Sequence, residues 1–432
     1  MKKRNVKISI LLCLMVFSTL LLFITTPTVA CDKSEKSDSE NSEIPSQSCC
    51  PGFYYATWKE TNGQTYLDIL ASDHYQLGVA TGYNIFEKIL EMKLILDQLL
   101  VQYNVSPLEA LYLAKSYELS IADKYISEMQ GIAEGCEIRS AELAQLGIVL
   151  PTITYNDILI QNTFLDGFYG YIIPSQVGID SAPKLFGCTA IAIKNSNRKV
   201  TIGQTWDFGA PFQNCYTFIR HKILGYPRIF GLRLGGMIQT PMGKTFWVTS
   251  TVNLVSLWKF GEISTPTSIN SRMALENSRN AYQFKKFITQ SKPCGWNYLI
   301  SDIWGNLIAL ETAPGITIMR QIQKKDFVVS TNTYVNDDLK PFLLNPVYSL
   351  ERQEKAEELT NEALNKDNWV SKDDLTQIFS FYDGGEASIT RYPNPSDPYL
   401  TMTNCFYVSS GLRNGYFSNG NPRDSSYGRI PI

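Results

Sequence analysis

Histidine is almost missing from this chain: His74 and His221 are the only two in 432 residues. A Cys-His pair or a Ser-His-Asp triad would have to be built on one of them. His74 stands among Asp73, Tyr75 and Gln76, and His221 follows Arg220 in an expected surface strand, so both read as polar surface or packed residues. Cysteine is sparse as well, nine in all, and no Cys-x-x-Cys spacing occurs, so no metal and no other cofactor is expected. Charge of either sign is not in excess, with 39 basic residues against 41 acidic, which removes the basic footprint of a nucleic-acid binder. No internal repeat and no second folded domain can be read from the pattern.

What is present begins with an address. Lys2, Lys3, Arg4 and Lys7 precede an apolar stretch over residues 8–24, and Thr28-Val29-Ala30 offers small residues at a cleavage site, so residues 1–30 read as a signal segment and the protein as exported. Cys31 follows directly, which opens a lipoprotein signal in which Cys31 is lipidated; simple secretion and an uncleaved anchor are the alternatives. Residues 31–50 are rich in Ser and charged side chains with almost nothing apolar, and read as a disordered tether. Six cysteines remain once Cys13, Cys31 and Cys188 are set aside, and the spacing does not choose among their possible disulfide pairings.

The chemistry is concentrated in one expected hairpin. Gly187-Cys188-Thr189-Ala190-Ile191-Ala192-Ile193-Lys194 reads as a strand, and Lys199 through Gly203-Gln204-Thr205-Trp206-Asp207 reads as its return. A thiol attacks as thiolate and has an ordinary pKa of about 8.5, so it needs a base. An α-amino group titrates at about 7.7 to 8.0 and can serve. A chain cut between Gly187 and Cys188 would free nucleophile and base together without a histidine, and Gly187 tolerates the distorted backbone that such a cut requires.

These residues resemble the acyl-coenzyme A:6-aminopenicillanic acid acyltransferase family of N-terminal nucleophile hydrolases. Gly187-Cys188-Thr189 and Gly203-Gln204-Thr205-Trp206-Asp207 are similar to its signature, with Asp207 where the family has its acid. Glu128-Met129-Gln130-Gly131-Ile132-Ala133-Glu134-Gly135, Arg272-Met273-Ala274-Leu275-Glu276 and Ser330-Thr331-Asn332-Thr333 resemble three further family segments in the same order, the last holding its oxyanion-hole Asn. Thr205 departs from the family's Asn and Thr333 from its frequent His. The bile-salt hydrolase branch, which typically has Arg at the position of Gln204 and lacks a long pro-chain, fits less well.

Residues 51–160 read mainly as helices after a strand-like start, with expected helices over 83–103, from Ser106, and over 122–133. Beyond Cys188 strands are expected over 246–252, 298–303, 307–312, 316–320 and 327–331, with helices over 271–290, 349–364 and from Ser371, and a closing hairpin over 401–408 and 411–417. Strands apolar on both faces need cover on each side. The expectation is an α+β fold, a four-layer αββα sandwich that the resemblance also implies. Residues 51–187 form its pro-chain and residues 188–432 its nucleophile chain, and the two stay associated after cleavage.

Cys188 is then the nucleophile, with its own amine as base, and Asp207 holds that amine or the substrate in register, set against a structural salt bridge. Asn332 is expected to donate to the oxyanion, with Asn253 as a second donor, a turn-forming Asn being the plainer reading of the first. Thr205, on the face of Asp207, is placed at the substrate. Arg352 is a candidate partner for a substrate carboxylate, although a solvated helix face is the commoner place for Arg. The expected reaction is cleavage of a small-molecule N-acyl amide through a Cys188 thioester, by hydrolysis or acyl transfer. A non-catalytic surface binding protein that keeps the fold and a cysteine endopeptidase are the alternatives.

Overall fold

The structure is a computed structural model that describes residues 52–176, 186–195, 199–240, 242–290, 292–322, 327–344, 347–367, 369–393, 399–408 and 415–430. The signal segment, the tether, Cys13, Cys31, Cys49 and Cys50 lie outside the described residues. Residues 51–432 make one unit.

Two sheets form its centre. The strand-like start is a hairpin of β1 (Tyr54–Thr61) and β2 (Gln64–Ala71), turned at Asn62 and Gly63, whose φ values of 51° and 75° suit a two-residue turn. β2 then pairs in parallel with β5 (Tyr216–Ile223), which carries the N-terminal segment into a nine-stranded sheet. That sheet continues through β6 (Ile229–Leu234), β7 (Gly243–Lys244), β8 (Val248–Val255), β9 (Gly295–Asp302), β10 (Leu307–Ala313) and β11 (Ile316–Met319). The six-stranded sheet runs β12 (Phe327–Ser330), β3 (Phe186–Lys194), β4 (Val200–Gly209), β13 (Tyr399–Val408), β14 (Gly415–Asn419) and β15 (Gly428–Ile430). The expected 187–207 hairpin is thus β3 and β4, at the middle of this sheet.

Strand alternation makes the layers. Ala190 and Ala192 of β3, with Ile202 and Trp206 of β4, pack toward the nine-stranded sheet. Ile191 and Ile193 turn the other way, with Phe327 and Val329, onto α9 (Val347–Asp367) and α10 (Lys372–Phe379). The far face of the larger sheet, through Leu67, Ile69, Ile219 and Ile223, is covered by α1 (His74–Asn84), α2 (Phe86–Gln102), α4 (Asp123–Gln145) and α5 (Tyr155–Gly167). The fold is a helix-sheet-sheet-helix sandwich.

Several boundaries differ from expectation for local reasons. The helix expected over 83–103 begins at Phe86, because Ile85 leaves helical geometry at φ −125°. The helix expected over 271–290 is two, α7 (Thr267–Asn277) and α8 (Ala281–Ile288), since Ser278 is extended and Asn280 caps α8 by accepting from Gln283 N. The cap expected at Ser106 starts α3 (Pro107–Glu118) in a capping box with Glu109. His221 is not on a surface strand; it is buried in β5, and burial with nearby Arg272 and Arg233 keeps it neutral. Cys136, Cys215, Cys294 and Cys405 are buried free thiols, so no disulfide joins any of them.

Two of the sequence segments quoted above are scaffold. Gly131 and Gly135 of α4 cross Gly78 and Gly82 of α1 at backbone contact: a Cβ on Gly131 would stand 2.2 Å from Tyr75 O, and one on Gly78 would stand 2.1 Å from Glu128 O. At that crossing Glu128, fully buried, meets His74 Nδ1 at 2.9 Å, Arg233 Nη2 at 3.2 Å and Arg272 Nη2 at 3.1 Å. Glu276 takes Arg272 Nε at 2.7 Å, Lys124 Nζ at 2.8 Å and the Tyr125 hydroxyl at 2.8 Å. Burial opposes the Glu128 charge, but Arg272, the His74 hydrogen bond and Arg233 outweigh it and hold the carboxyl at about 2, below its ordinary 4.5.

Two outcomes follow. Gly131→Ala should separate the helices and cost more than the ~1–3 kcal/mol of ordinary overpacking, read by urea denaturation, because the obstructing atoms are backbone. Glu128 binds no proton in the fold at pH values where the unfolded chain does, so its contribution is full above pH 4.5 and is lost as pH falls toward about 2. Denaturation midpoints between pH 5 and pH 2 should fall more steeply for the wild type than for Glu128→Gln.

Candidate active site

Register decides which side chains meet. Gly187 lies opposite Asp207 and Cys188 opposite Trp206. The Cys188 thiol therefore points between the sheets with Trp206 and Gln204, while Asp207 and Thr205 point to the α9 side. Thr205 is fully buried there and its Oγ1 accepts from Thr189 N at 3.1 Å across the hairpin. Thr205 and Asp207 do share a face, but it is the face away from the sulfur.

Asn332, two residues past the end of β12, reaches the head of β3. Its Oδ1 accepts from Cys188 N at 2.6 Å and from Arg352 Nη2 at 2.8 Å, and its Nδ2 donates to Leu254 O at 2.8 Å. Two donors on one side and a carbonyl on the other fix the amide's orientation. Asn332 thus serves the nitrogen of Cys188, and its NH2, expected at the oxyanion, is engaged by a backbone carbonyl. Asn253 is engaged likewise: Nδ2 donates to Ser330 O and Oδ1 accepts from Gln204 Nε2 at 2.7 Å.

Arg352 is not on a solvated face. It is buried on α9, and with Arg391 and Asp207 it encloses Gly187: a Cβ there would stand 2.7 Å from Arg352 Nη1, 3.2 Å from Arg391 Nη1 and 3.2 Å from Asp207 Oδ2. A side chain at this position would require the Arg352 guanidinium to shift. Asp207 Oδ1 accepts from Thr401 Oγ1 at 2.7 Å, and Thr401 Oγ1 also accepts from Arg391 N at 2.8 Å. The carboxylate lies beside the glycine half of the Gly187-Cys188 peptide.

Three residues were not singled out as contacts by the sequence. Gln204 ties the sheets together beside the thiol, its Nε2 donating to Val252 O at 2.6 Å and its Oε1 accepting from Val252 N at 3.1 Å. The motif contained it, quoted as a departure from another branch. Trp206, directly across from Cys188, has an indole Nε1 that is buried with no partner among the described residues. Arg391 sits in irregular backbone and carries no local pattern that could have revealed it. His74 lies in the Glu128 network, away from these residues.

Burial, and the Asp207 charge after it, push the Cys188 thiol up to about 12, against the opposing pull of a backbone hydrogen bond at Asp207, of Arg352 and of Gln204. The protonated thiol is therefore the favoured form at neutral pH.

Cys188 thus lies near the head of a central strand of an αββα sandwich, with its backbone N–H held by Asn332 and a glycine before it. Residues 193–396, just under half of the chain and beginning just after Cys188, match the family model described as acyl-coenzyme A:6-aminopenicillanic acid acyl-transferase. This is the family that the hairpin resembles. No curated protein matches the chain. Among solved structures, two variants of the conjugated bile acid hydrolase from Clostridium perfringens align at 10% identity and a TM-score of 0.39, covering 57% of this chain and 97% of theirs.

Gly187→Ala tests the enclosure. The added methyl must displace a pinned guanidinium, so the variant should lose ~1–3 kcal/mol of stability, measured in urea. A neutral result would mean that Arg352 is free to move aside.

Proposed function

We propose that this chain is a self-processing amidohydrolase or acyltransferase with an N-terminal cysteine nucleophile, and that the peptide between Gly187 and Cys188 is its first substrate. The observation that carries the reading is the seat of that peptide, with the Cys188 N–H on Asn332 Oδ1 at 2.6 Å and the preceding glycine enclosed by two guanidiniums and a carboxylate. In the first reaction Sγ attacks the Gly187 carbonyl carbon as its proton passes to the Cys188 nitrogen. The C–N bond breaks and a thioester forms, and water then releases the Gly187 carboxylate and the thiol.

That cut converts an amide nitrogen into an α-amine, which titrates near ~8 and takes the thiol proton in later turnovers. Asn332 Oδ1 already accepts from this nitrogen and would orient the amine; Arg352 acts through Asn332 as a positioning residue. Asp207 would hold Gly187 and its two arginines in place for processing. Sγ then attacks the acyl carbon of a substrate amide, the amine delivers the proton to the leaving nitrogen, and water or a second amine takes the acyl group from the thioester. Trp206 Nε1 is assigned the oxyanion, as a buried donor across from Cys188 with no partner among the described residues, whereas the amides of Asn332 and Asn253 each already give one N–H to a backbone carbonyl and keep only the other.

Hydrolysis is favoured over transfer for an exported protein, which has poor access to coenzyme A thioesters. N-acylated amino acids, β-lactam side chains and lipid amides are the candidate substrates. Export by the N-terminal segment, with lipidation at Cys31 or release after cleavage, belongs to the same proposal; among the described residues no helix is long and apolar enough to cross a membrane. The two chains would stay together through the β2 and β5 pairing and the Glu128 network, both of which span the cut.

Mass spectrometry under denaturing, reducing conditions should find one chain ending at Gly187 and one starting at Cys188, while Cys188→Ala stays single. Processed wild type should form an acyl adduct on Cys188 with a cleavable N-acyl amide. Trp206→Phe, in processed protein, should lower kcat by about a hundred- to a thousandfold with KM little changed. An active but uncut wild type overturns the mechanism. Processed protein that binds one amide tightly yet forms no adduct with any member of a broad panel would be a binding protein.

A further inference from the structure

A recess lies where β1, β2 and α2 meet the turn before β5, and none of its lining residues belongs to the Cys188 site. Its volume is about 240 Å³, and its lining includes Trp58, Lys88, Asn214, Tyr216, Thr217 and Asn419. No Asp or Glu is among its lining residues.

Lys88 brings a charge to this wall. Its Nζ donates to Asn214 O at 3.1 Å and to Tyr216 O at 2.9 Å, so two of the three ammonium protons are used and one remains for a ligand. Among the described residues no carboxylate pairs with it; Glu91, which acts on it from a distance, accepts from Asn214 Nδ2 at 3.2 Å. Burial lowers the Lys88 pKa from its ordinary 10.5, partly offset by Cys215, Glu91 and Glu87 at a distance, as expected for an ammonium short of a counter-ion.

An independent observation comes from the adjacent strand. Thr217 is 4% exposed, and its Oγ1 is buried with no partner among the described residues. A buried hydroxyl left without a partner is costly, and one that lines a recess beside an ammonium has an evident use. Trp58, 43% exposed, and the Tyr216 ring supply apolar surface beside these polar groups.

We propose that this recess binds a small monocarboxylic acid, its carboxylate accepting from Lys88 Nζ and Thr217 Oγ1 and its apolar body lying against Trp58 and Tyr216. The volume falls below the ~300–1,000 Å³ of sites for drug-sized ligands, so the body is limited to the order of one ring. The inference stands apart from the reaction at Cys188.

Benzoate is the probe, titrated into the purified full chain by calorimetry, with benzamide as its neutral isostere. The expected result is saturable binding of one benzoate, at least about tenfold weaker binding in Lys88→Met and in Thr217→Val, and unchanged binding in Cys188→Ala. Crystals with 4-bromobenzoate should place the bromine in this recess by anomalous scattering. Thr217→Val, nearly isosteric, carries the test if Lys88→Met does not fold. Absence of saturable binding, equal affinity for benzamide, equal displacement by sulfate, or loss of binding in Cys188→Ala but not in the recess variants would each overturn the proposal.

Discussion

One acceptor atom, Asn332 Oδ1, organises this molecule's centre. It takes the Cys188 N–H and an Arg352 guanidinium N–H together, while the nitrogen of the same amide is pinned to Leu254 O. Three layers meet at that amide: Cys188 belongs to the smaller sheet, Leu254 to the larger, and Arg352 to an outer helix. The arrangement depends on a vacancy at Gly187, since a Cβ there would stand 2.7 Å from Arg352 Nη1. Arg352 is itself a charge brought out of water, and removing one partner from such a buried set generally costs about 3–5 kcal/mol. Stability and site geometry are therefore coupled through the same few atoms.

The Glu128 network is the second centre, and it explains why the quoted segments far from the cysteine are so particular. Gly131 and Gly135 let two helix backbones touch, and that contact puts Glu128 where no water can solvate it. Arg233 and Arg272 then become obligatory, and Arg272 in turn needs Glu276 four residues on along α7. A sequence segment that looks like a functional motif is here a chain of packing and charge requirements. It joins residues from both sides of the Gly187-Cys188 peptide.

Much of this was legible in the residues. The β3 and β4 hairpin, the capped starts at Ser106 and Ser371 and the alternation of helices with doubly apolar strands can be read directly, and Asn332 stands out at the end of a strand. The face occupied by Asp207 and Thr205 could not be read, because the polar residues between the two strands do not specify the turn. A slip of one residue in register moves every side chain to the other face. The burial of Arg352, named only as a candidate partner for a substrate carboxylate, and the place of Arg391 were hidden for a different reason: a lone Arg on a helix or in irregular backbone looks solvated until the fold buries it. Register and long-range burial are properties of the assembled sheets, and short windows do not contain them.

In the proposed reaction the burial that protects the thiol would also set the order of events. With its pKa held up at about 12, Cys188 in the uncut chain is a poor thiolate, and its nitrogen is an amide with no lone pair to offer as base. Burial thus disfavours the thiolate through which outside electrophiles and oxidants would react. An intramolecular attack on Gly187 escapes this restriction, because the thiol and the carbonyl carbon are already on adjacent residues and effective concentration replaces thiolate population. After the proposed cut the nitrogen would become a base held by Asn332 Oδ1, beside the sulfur it is to deprotonate. Under this scheme competence follows from the cut alone, and the surrounding hydrogen bonds need not be rebuilt to use it.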